Sequence, residues 1–334
     1  MESKLPYEKI GERKVLVKKE SLTDPNQGCN PNERTVKDLI NLGVINLNKP
    51  QGPTSHLTSD YLKKILNLSK AGHSGTLDPN VSGVLPIALE RATRIVQTLL
   101  PLGKEYVAYM YLHKDHTEEE IRKTRDKFLG DIRQLPPVKS AVKREERTRT
   151  IHYFDILEID GRNVLFKVGC QAGTYVRKLI YDFGLKIGSG AHMAQLVRTK
   201  VGPFLLENSV SLQDVTDAFA YYNEKKDEKE LRKVIQPFEF AIQNMKKVWV
   251  VDNAVDNICH GAEVYVAGVS KLHEDIHVKD AVAIMTLKDE FIGLGMARME
   301  SEEMMKLNIG VAVKTHKVFM ERGTYKKNEK LQYN

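Results

Sequence analysis

The fifteen residues from Gly72 to Pro86, G-H-S-G-T-L-D-P-N-V-S-G-V-L-P, set the tightest limit on what this chain can become. Three glycines permit close backbone approach and positive φ, and two prolines fix φ and remove donors. The stretch therefore reads as a rigid, shaped loop rather than a helix or a floppy linker. It holds one carboxylate, Asp78. The chain has 51 Lys and Arg against 44 Asp and Glu, a net charge of +7, which suits a nucleic-acid partner without proving one. A lone acid facing RNA repels phosphate, so its presence there points to chemistry. The plainer alternative is that Asp-Pro merely starts a turn.

With 334 residues the chain is long enough for two domains, and 41% hydrophobic with 28% charged residues describes a soluble, globular class. Cys29, Cys170 and Cys259 are far apart and form no C-x-x-C, so neither a zinc site nor a disulfide framework is supported. Small buried apolar cysteines in a reducing compartment are expected instead. There is no run of about 18 apolar residues, as a membrane span needs. The first ten residues are polar and lack an apolar signal region, so an intracellular, cytoplasmic protein is expected.

Taken in order, residues 1–34 read as a polar, extended arm rather than a core element. A strand from Gly43 ends at Lys49-Pro50. Thr54 or Ser55 caps a helix whose expected apolar face is Leu57, Tyr61, Leu62, Ile65 and Leu66. After the Asp78 loop a second helix is expected, with Leu89, Ala92, Ile95, Val96 and Leu99 on one side. Glu105 to Leu112 is a strand, and Thr117 with Glu120 is a capping box for a charged helix running to Leu129. Gln134 to Thr150 opens with two prolines, lacks apolar periodicity and carries five basic against two acidic side chains. It reads as a basic loop, with an ordinary solvated face as the competing interpretation.

Asp160-Gly161 turns a hairpin between strands at Ile151–Ile159 and 163–168. Gln171 to Arg177 feeds a helix with Val176, Leu179, Ile180 and Phe183 inward, and 191–204 is a further strand and turn. Residues 221–233 form a charged surface helix or connector. Five short strands follow within about eighty residues, as in a small β-barrel-like domain. The fold class is therefore α+β, a mixed and largely antiparallel sheet followed by a β-rich second domain.

Five spaced motifs, in order, carry a resemblance. They are Asn48-Lys49-Pro50 with Gly52-Pro53-Thr54-Ser55, the G-H-S-G-T-L-D-P loop with Gly83, Leu85 and Pro86, Lys104-Glu105-Tyr106-Val107-Ala108, Ala172 to Arg177, and Arg198-Thr199 with Gly202-Pro203-Phe204. Together they resemble the TruB family of RNA pseudouridine synthases, and more closely its archaeal dyskerin-like members, the catalytic subunits of H/ACA guide-RNA particles. Residues 136–144 resemble the family's thumb loop and the C-terminal region resembles a PUA domain.

The resemblance implies isomerisation of uridine to pseudouridine in rRNA, directed by a guide RNA, and as a second activity in the tRNA T-loop, without cofactor or metal. It implies an arm over 1–34 packed on the PUA domain, a catalytic domain over 35–245 with a thumb loop near 136–150, a PUA domain over 246–322 and a polar tail. It implies an H/ACA guide RNA and small protein subunits as partners.

Carried over by motif, Asp78 is the catalytic aspartate, and a carboxylate suits the task of forming a covalent intermediate or stabilising a cationic sugar. Tyr106 stacks on the uracil and is the candidate base for the C5 proton. Tyr175 and Arg177 complete the set; two apart on extended backbone they would share a side, with Arg177 keeping Asp78 ionised. Leu196 walls the pocket, Lys49 supports the Asp78 loop, and His73 helps hold a flipped nucleotide. Lys139, Lys143, Arg144 and Arg147 are the thumb's RNA contacts. Val197 stands where related sequences carry a second arginine, and Glu145 and Glu146 dilute the thumb's charge. The competing class is a non-catalytic RNA-binding scaffold, which would have no use for a lone acid in its groove.

Overall fold

The structure is a computed structural model and describes residues 3–8, 13–95, 101–136 and 143–326. The chain forms two compact units, one of Met1–Ile10 with Ile40–Ala241, the other of Gly11–Leu39 with Ile242–Asn334. The α+β class expected from sequence is what is observed, with both sheets mixed and mostly antiparallel.

The larger unit is built on a ten-stranded sheet. Its order is Gln236–Pro237, Gly43–Lys49, Ser82–Leu89, Ala191–Val201, Lys104–Leu112, Asn163–Cys170, Arg147–Asp160 and Gly130–Gln134. Ala71–His73 is added beside Ser82–Leu89, and Phe204–Leu205 beside Ala191–Val201. Every pairing is antiparallel except the short one of Ser82–Leu89 with Ala191–Val201, where Ser82 faces Val197 and Gly83 faces Arg198. That parallel pairing is a seam between two antiparallel halves. Gly83 there has φ +108°, and a Cβ would lie 2.2 Å from the Arg198 carbonyl oxygen, so only glycine lets the halves close.

Strands with one alternating face were legible. Lys104–Leu112 buries Tyr106, Ala108, Met110 and Leu112 in turn. These side chains join Val164, Phe166 and Val168 from the next strand and Leu179, Ile180 and Phe183 from the helix Val176–Ile187 in one apolar cluster. That helix buries Val176, Leu179, Ile180 and Phe183 as the pattern predicts. The capping box on Glu118–Asp126 is also formed, with Thr117 and Glu120 bonding each other's backbone N–H.

Several expectations are corrected. The second half of the Gly72–Pro86 stretch is not loop: Ser82–Leu89 is a nearly wholly buried strand, followed by a 3-10 turn over Glu90–Ile95 in place of the expected helix. Val96 and Leu99 lie outside the described residues. A strand flanked on both sides and covered on both faces shows no alternation, so its period is invisible. The helix Ser55–Ile65 buries Ser55, Thr58, Ser59 and Leu62, whereas Leu57 and Tyr61 are exposed. Its hydroxyls can be buried because Thr58 Oγ1 donates to Thr54 O and Ser59 Oγ to Ser55 O. The basic loop is shorter than expected, because Gly130–Gln134 and Arg147–Asp160 pair as its two stems. The N-terminal arm does contribute core and sheet: Leu5 is fully buried, and Val15–Val17 is a strand.

The smaller unit holds a seven-stranded sheet, ordered Val15–Val17, Val269–His273, Lys246–Val250, Ala281–Met285, Phe291–Ala297, Val311–Val318 and Val264–Tyr265. Val269–His273 is a strand that sequence reading passed over. Its core gathers Val248, Val250, Val266, Leu272, Ile284 and Ile292. Gly28 and Tyr325 meet at the buried Glu290, which accepts the Tyr325 hydroxyl at 2.7 Å.

Candidate active site

Asp78 is held from both sides along the chain. The preceding residue, Leu77, donates its N–H to Ser55 Oγ at 2.8 Å and accepts from the same hydroxyl at 3.0 Å. The carbonyl of the following residue, Pro79, accepts from Gly52 N–H at 2.9 Å and from Lys49 Nζ at 3.3 Å. Val81 N–H donates to the Asp78 carbonyl at 3.0 Å, closing a turn on the aspartate itself. The backbone is thus pinned while the Asp78 side chain stays half exposed, at 55%. Lys49 is a support beneath this loop: fully buried, its ammonium donates also to Pro50 O at 2.7 Å and Pro53 O at 2.9 Å. Burial, then the nearby Arg198, hold its pKa below the usual lysine value.

Arg177 pairs with Asp78 through Nη2 and Oδ2. The route differs from the one expected. Tyr175 is the N-cap of the helix Val176–Ile187 and Arg177 lies in its first turn, so the two do not share a side of extended backbone. A cation in the first turn opposes the helix dipole, and the Asp78 carboxylate at the same end offsets it.

Beneath the loop lies an arginine to which sequence reasoning gave no role. Arg198 is 1% exposed; its Nε donates to Val84 O at 2.7 Å and its Nη2 to Gly75 O at 3.1 Å. It also bonds the Tyr106 side chain, whose register partner it is across the sheet. Burial pushes the Tyr106 phenol up, and the guanidinium opposes that shift. The signal was present in the sequence. Leu196 and Arg198 are two apart on a strand and both point inward, and an inward arginine among apolar residues needs acceptors waiting for it. Lys104, also buried, is held down to about 8 by burial and by Arg198.

Leu77, Val81, Tyr106, Val176 and Leu196 belong to one apolar cluster, so the residue before Asp78 is rooted in the same cluster as Tyr106 and Leu196. His73 packs its ring 5.0 Å from that of His56, and burial lowers its pKa. Its Nε2 is buried with no hydrogen-bond partner among the described residues. The thumb residues are not gathered on Asp78. Lys143 pairs with Glu145, Arg133 lies 3.8 Å from Glu146, Arg144 is exposed, and Arg147 begins a strand opposite Gln134. Lys139 lies outside the described residues.

No cluster of three metal-ligating side chains occurs among the described residues, and no described helix is long and apolar enough to cross a membrane. A cleft of about 490 Å³ lies within the smaller unit, lined by Asn253, Asn257, His260, Glu263 and Tyr265 among others. It contains none of the residues expected to do chemistry.

With this geometry in hand, similarity to known proteins is informative. The N-terminal domain of the TruB family of pseudouridylate synthases matches residues 63–176, the C-terminal domain of tRNA pseudouridylate synthase B matches 177–243, a PUA domain matches 246–319, and a DKCLD domain matches 2–58. The chain is 51% identical over 324 residues to a probable tRNA pseudouridine synthase B of Methanopyrus kandleri, covering 97% of this chain and 95% of that one. It is 54% identical over 317 residues to the corresponding protein of Pyrococcus horikoshii, covering 94% and 95%. Among solved structures it resembles a chain of an H/ACA RNP bound to a substrate RNA containing 2'-deoxyuridine, with TM-score 0.89, 50% identity and coverage of 97% and 99%. It resembles equally a chain of a Cbf5–Nop10–Gar1 complex, with TM-score 0.89, 52% identity and coverage of 97% and 98%.

Proposed function

The chain belongs to the TruB family of pseudouridylate synthases, and from that premise we propose that it isomerises uridine to pseudouridine in RNA as the catalytic subunit of an H/ACA guide-RNA particle. The guide RNA selects rRNA uridines by base pairing, small protein subunits of the particle join the chain, and the tRNA T-loop is a second substrate. The compartment is the cytoplasm. The observation that carries the reading is the Asp78–Arg177 pair on a loop pinned at Leu77 and Pro79, with Leu77 in the same apolar cluster as Tyr106 and Leu196.

In the reaction the C1′–N1 bond breaks, a C1′–C5 bond forms, and the C5 hydrogen leaves as a proton while N1 gains one. Asp78 supports the separated state, as a nucleophile on the sugar or as the counter-charge to it. Arg177 supplies a planar, charged donor that keeps the carboxylate oriented. The freed uracil turns within the pocket, between Tyr106 and Leu196. Tyr106 accepts the C5 proton. Its phenol is neutral at rest because burial disfavours the phenolate; it first gives its proton to uracil N1, and the resulting phenolate, whose charge Arg198 makes less costly, then takes the C5 proton. Tyr175 closes the pocket at the helix start. Lys49 acts on the loop alone. His73 meets the extruded nucleotide, and Lys139, Lys143, Arg144 and Arg147 hold the RNA backbone, with Glu145 reducing what Lys143 offers. The PUA domain grips the guide RNA.

The test is Asp78→Asn, scored by release of tritium from RNA labelled at uridine C5. An amide is close in shape but a poor nucleophile, so release should vanish while RNA binding stays near wild type. Measurable turnover by the variant would return the protein to the scaffold class.

A further inference from the structure

The helix that presents Arg177 begins without the usual protection. Its N-cap is Tyr175, in extended backbone at φ −97° and ψ 101°, and the Tyr175 side chain makes no cap hydrogen bond. In a capping box the third helical residue accepts the N-cap N–H. Here that residue is Lys178, which has no acceptor and instead pairs with Asp182.

The missing acceptor comes from another strand. Tyr175 N–H donates to Gln134 Oε1 at 3.0 Å, and Gln134 Nε2 donates to Tyr175 O at 3.2 Å. The Gln134 side chain is 2% exposed, and only one orientation of its amide satisfies both bonds. Gln134 ends the strand Gly130–Gln134 and pairs with Arg147, so it stands at the mouth of the thumb loop. The other stem grips the same segment, since Thr150 N–H donates to Gln171 Oε1 at 3.2 Å and Gln171 N–H to Thr150 O at 2.9 Å. The segment 171–177 is therefore slung between the two stems of the thumb.

We propose that Gln134 is a positioning residue for pseudouridine formation: its buried amide clamps the Tyr175 peptide, sets Tyr175 and Arg177 against Asp78, and ties that setting to the strand from which the thumb loop leaves. The proposal rests on the pseudouridine synthase reading for its effect on rate, and on geometry alone for the clamp.

Two variants test it in the full-length protein assembled with guide RNA and its protein subunits. Gln134→Ala removes both bonds. A displacement of ~1 Å at a reacting group costs about a hundredfold in rate, so single-turnover tritium release should fall by about that factor with RNA affinity unchanged. Gln134→Glu distinguishes positioning from simple loss of packing. Its carboxylate accepts from Tyr175 N–H but repels Tyr175 O, whereas its protonated form offers a donor and an acceptor like the amide. Relative to wild type, Gln134→Glu activity should rise as pH falls, with burial lifting the carboxyl pKa into reach; Gln134→Ala should show no such recovery. Exchange of the Tyr175 amide hydrogen, measured without RNA, should quicken in Gln134→Ala. Wild-type rates in Gln134→Ala, or a loss without recovery of Gln134→Glu at low pH, would overturn the role in rate. An unchanged Tyr175 exchange rate overturns the clamp whichever reaction the protein performs. An inactive wild type with quickened exchange instead refutes the function and keeps the clamp.

Discussion

Replacing Lys49 by Met asks how much of the site depends on one buried cation. Methionine has a similar length and no charge. The change removes the donor to three carbonyls, of Pro50, Pro53 and Pro79, which accept at 2.7, 2.9 and 3.3 Å; only Pro50 and Pro53 are stranded, because Pro79 O keeps Gly52 N–H at 2.9 Å. A buried acceptor left unsatisfied costs about 1–3 kcal/mol. Pro50 is an exposed residue, so water can reach it and the low end applies, giving roughly 2 kcal/mol in all. Against this, the variant no longer buries an ammonium, whose cost is the main cause of the depressed Lys49 pKa. A net loss of about 1 kcal/mol is expected, read as a lower urea midpoint at unchanged slope by far-UV circular dichroism. Activity should fall further than stability, because Asp78 is the residue next to Pro79, whose carbonyl is then held by Gly52 N–H alone; about a hundredfold is the expected scale. A variant as stable as wild type would refute the three-bond anchor. A destabilised variant with full activity would refute the claim that Lys49 holds Asp78 in register for chemistry.

Arg177→Lys keeps the charge and loses the planar fork. Because both partners of the pair are more than half exposed, stability should change by less than about 1 kcal/mol while tritium release drops steeply; equal activity of the lysine variant would remove Arg177 from the mechanism. His273 is held down to about 4 by burial, then by Arg13 and Lys247, and its Nδ1 accepts Lys247 N–H at 3.0 Å. Its folded pKa lies below the unfolded value near 6.5, so the unfolded state takes the proton first as pH falls. The smaller unit should lose about 3 kcal/mol between pH 6.5 and 4, a loss that His273→Gln flattens. Trp249, the chain's single tryptophan, packs edge-on to this ring at 5.1 Å and reports the unfolding by fluorescence. Removing the chain from Lys246 onward should weaken guide-RNA binding and shallow its salt dependence, if the PUA domain makes the phosphate contacts proposed for it. Equal slopes would assign the guide to the larger unit alone.

Where one face of an element was buried, the sequence announced it. The helix Val176–Ile187, the capping box at Thr117 and the alternation of Lys104–Leu112 could be read residue by residue. Ser82–Leu89 could not, because both its faces are covered and Pro86 inside it reads as punctuation. The helix face of Ser55, Thr58 and Ser59 was hidden for another reason: hydroxyls that bond their own backbone travel into a core at little cost. For the candidate site, Asp78, Arg177, Tyr106 and Leu196 were named by motif, and the structure joins the first two directly. Arg198 and Gln134 were not assigned, since each is defined by carbonyls or amides far along the chain, Val84 in one case and Tyr175 in the other. Side-chain type alone does not say which peptide a buried amide will meet.

The strand Val15–Val17 has a consequence for how the chain is made. It leaves the ribosome well before its partner, since Val17 pairs with Lys271, which follows 254 residues later. At about 5–20 residues per second, the strand waits roughly 13–50 s for its partner. Through that interval it presents an unpaired edge to solvent, while most of the larger sheet has already been synthesised and can close. The charged residues that flank it, Arg13, Lys14, Lys18, Lys19 and Glu20, are neighbours of the kind that discourage an edge from pairing with the wrong chain. Translation order thus makes the small β-rich unit the last to fold, completed by a strand that was present from the start.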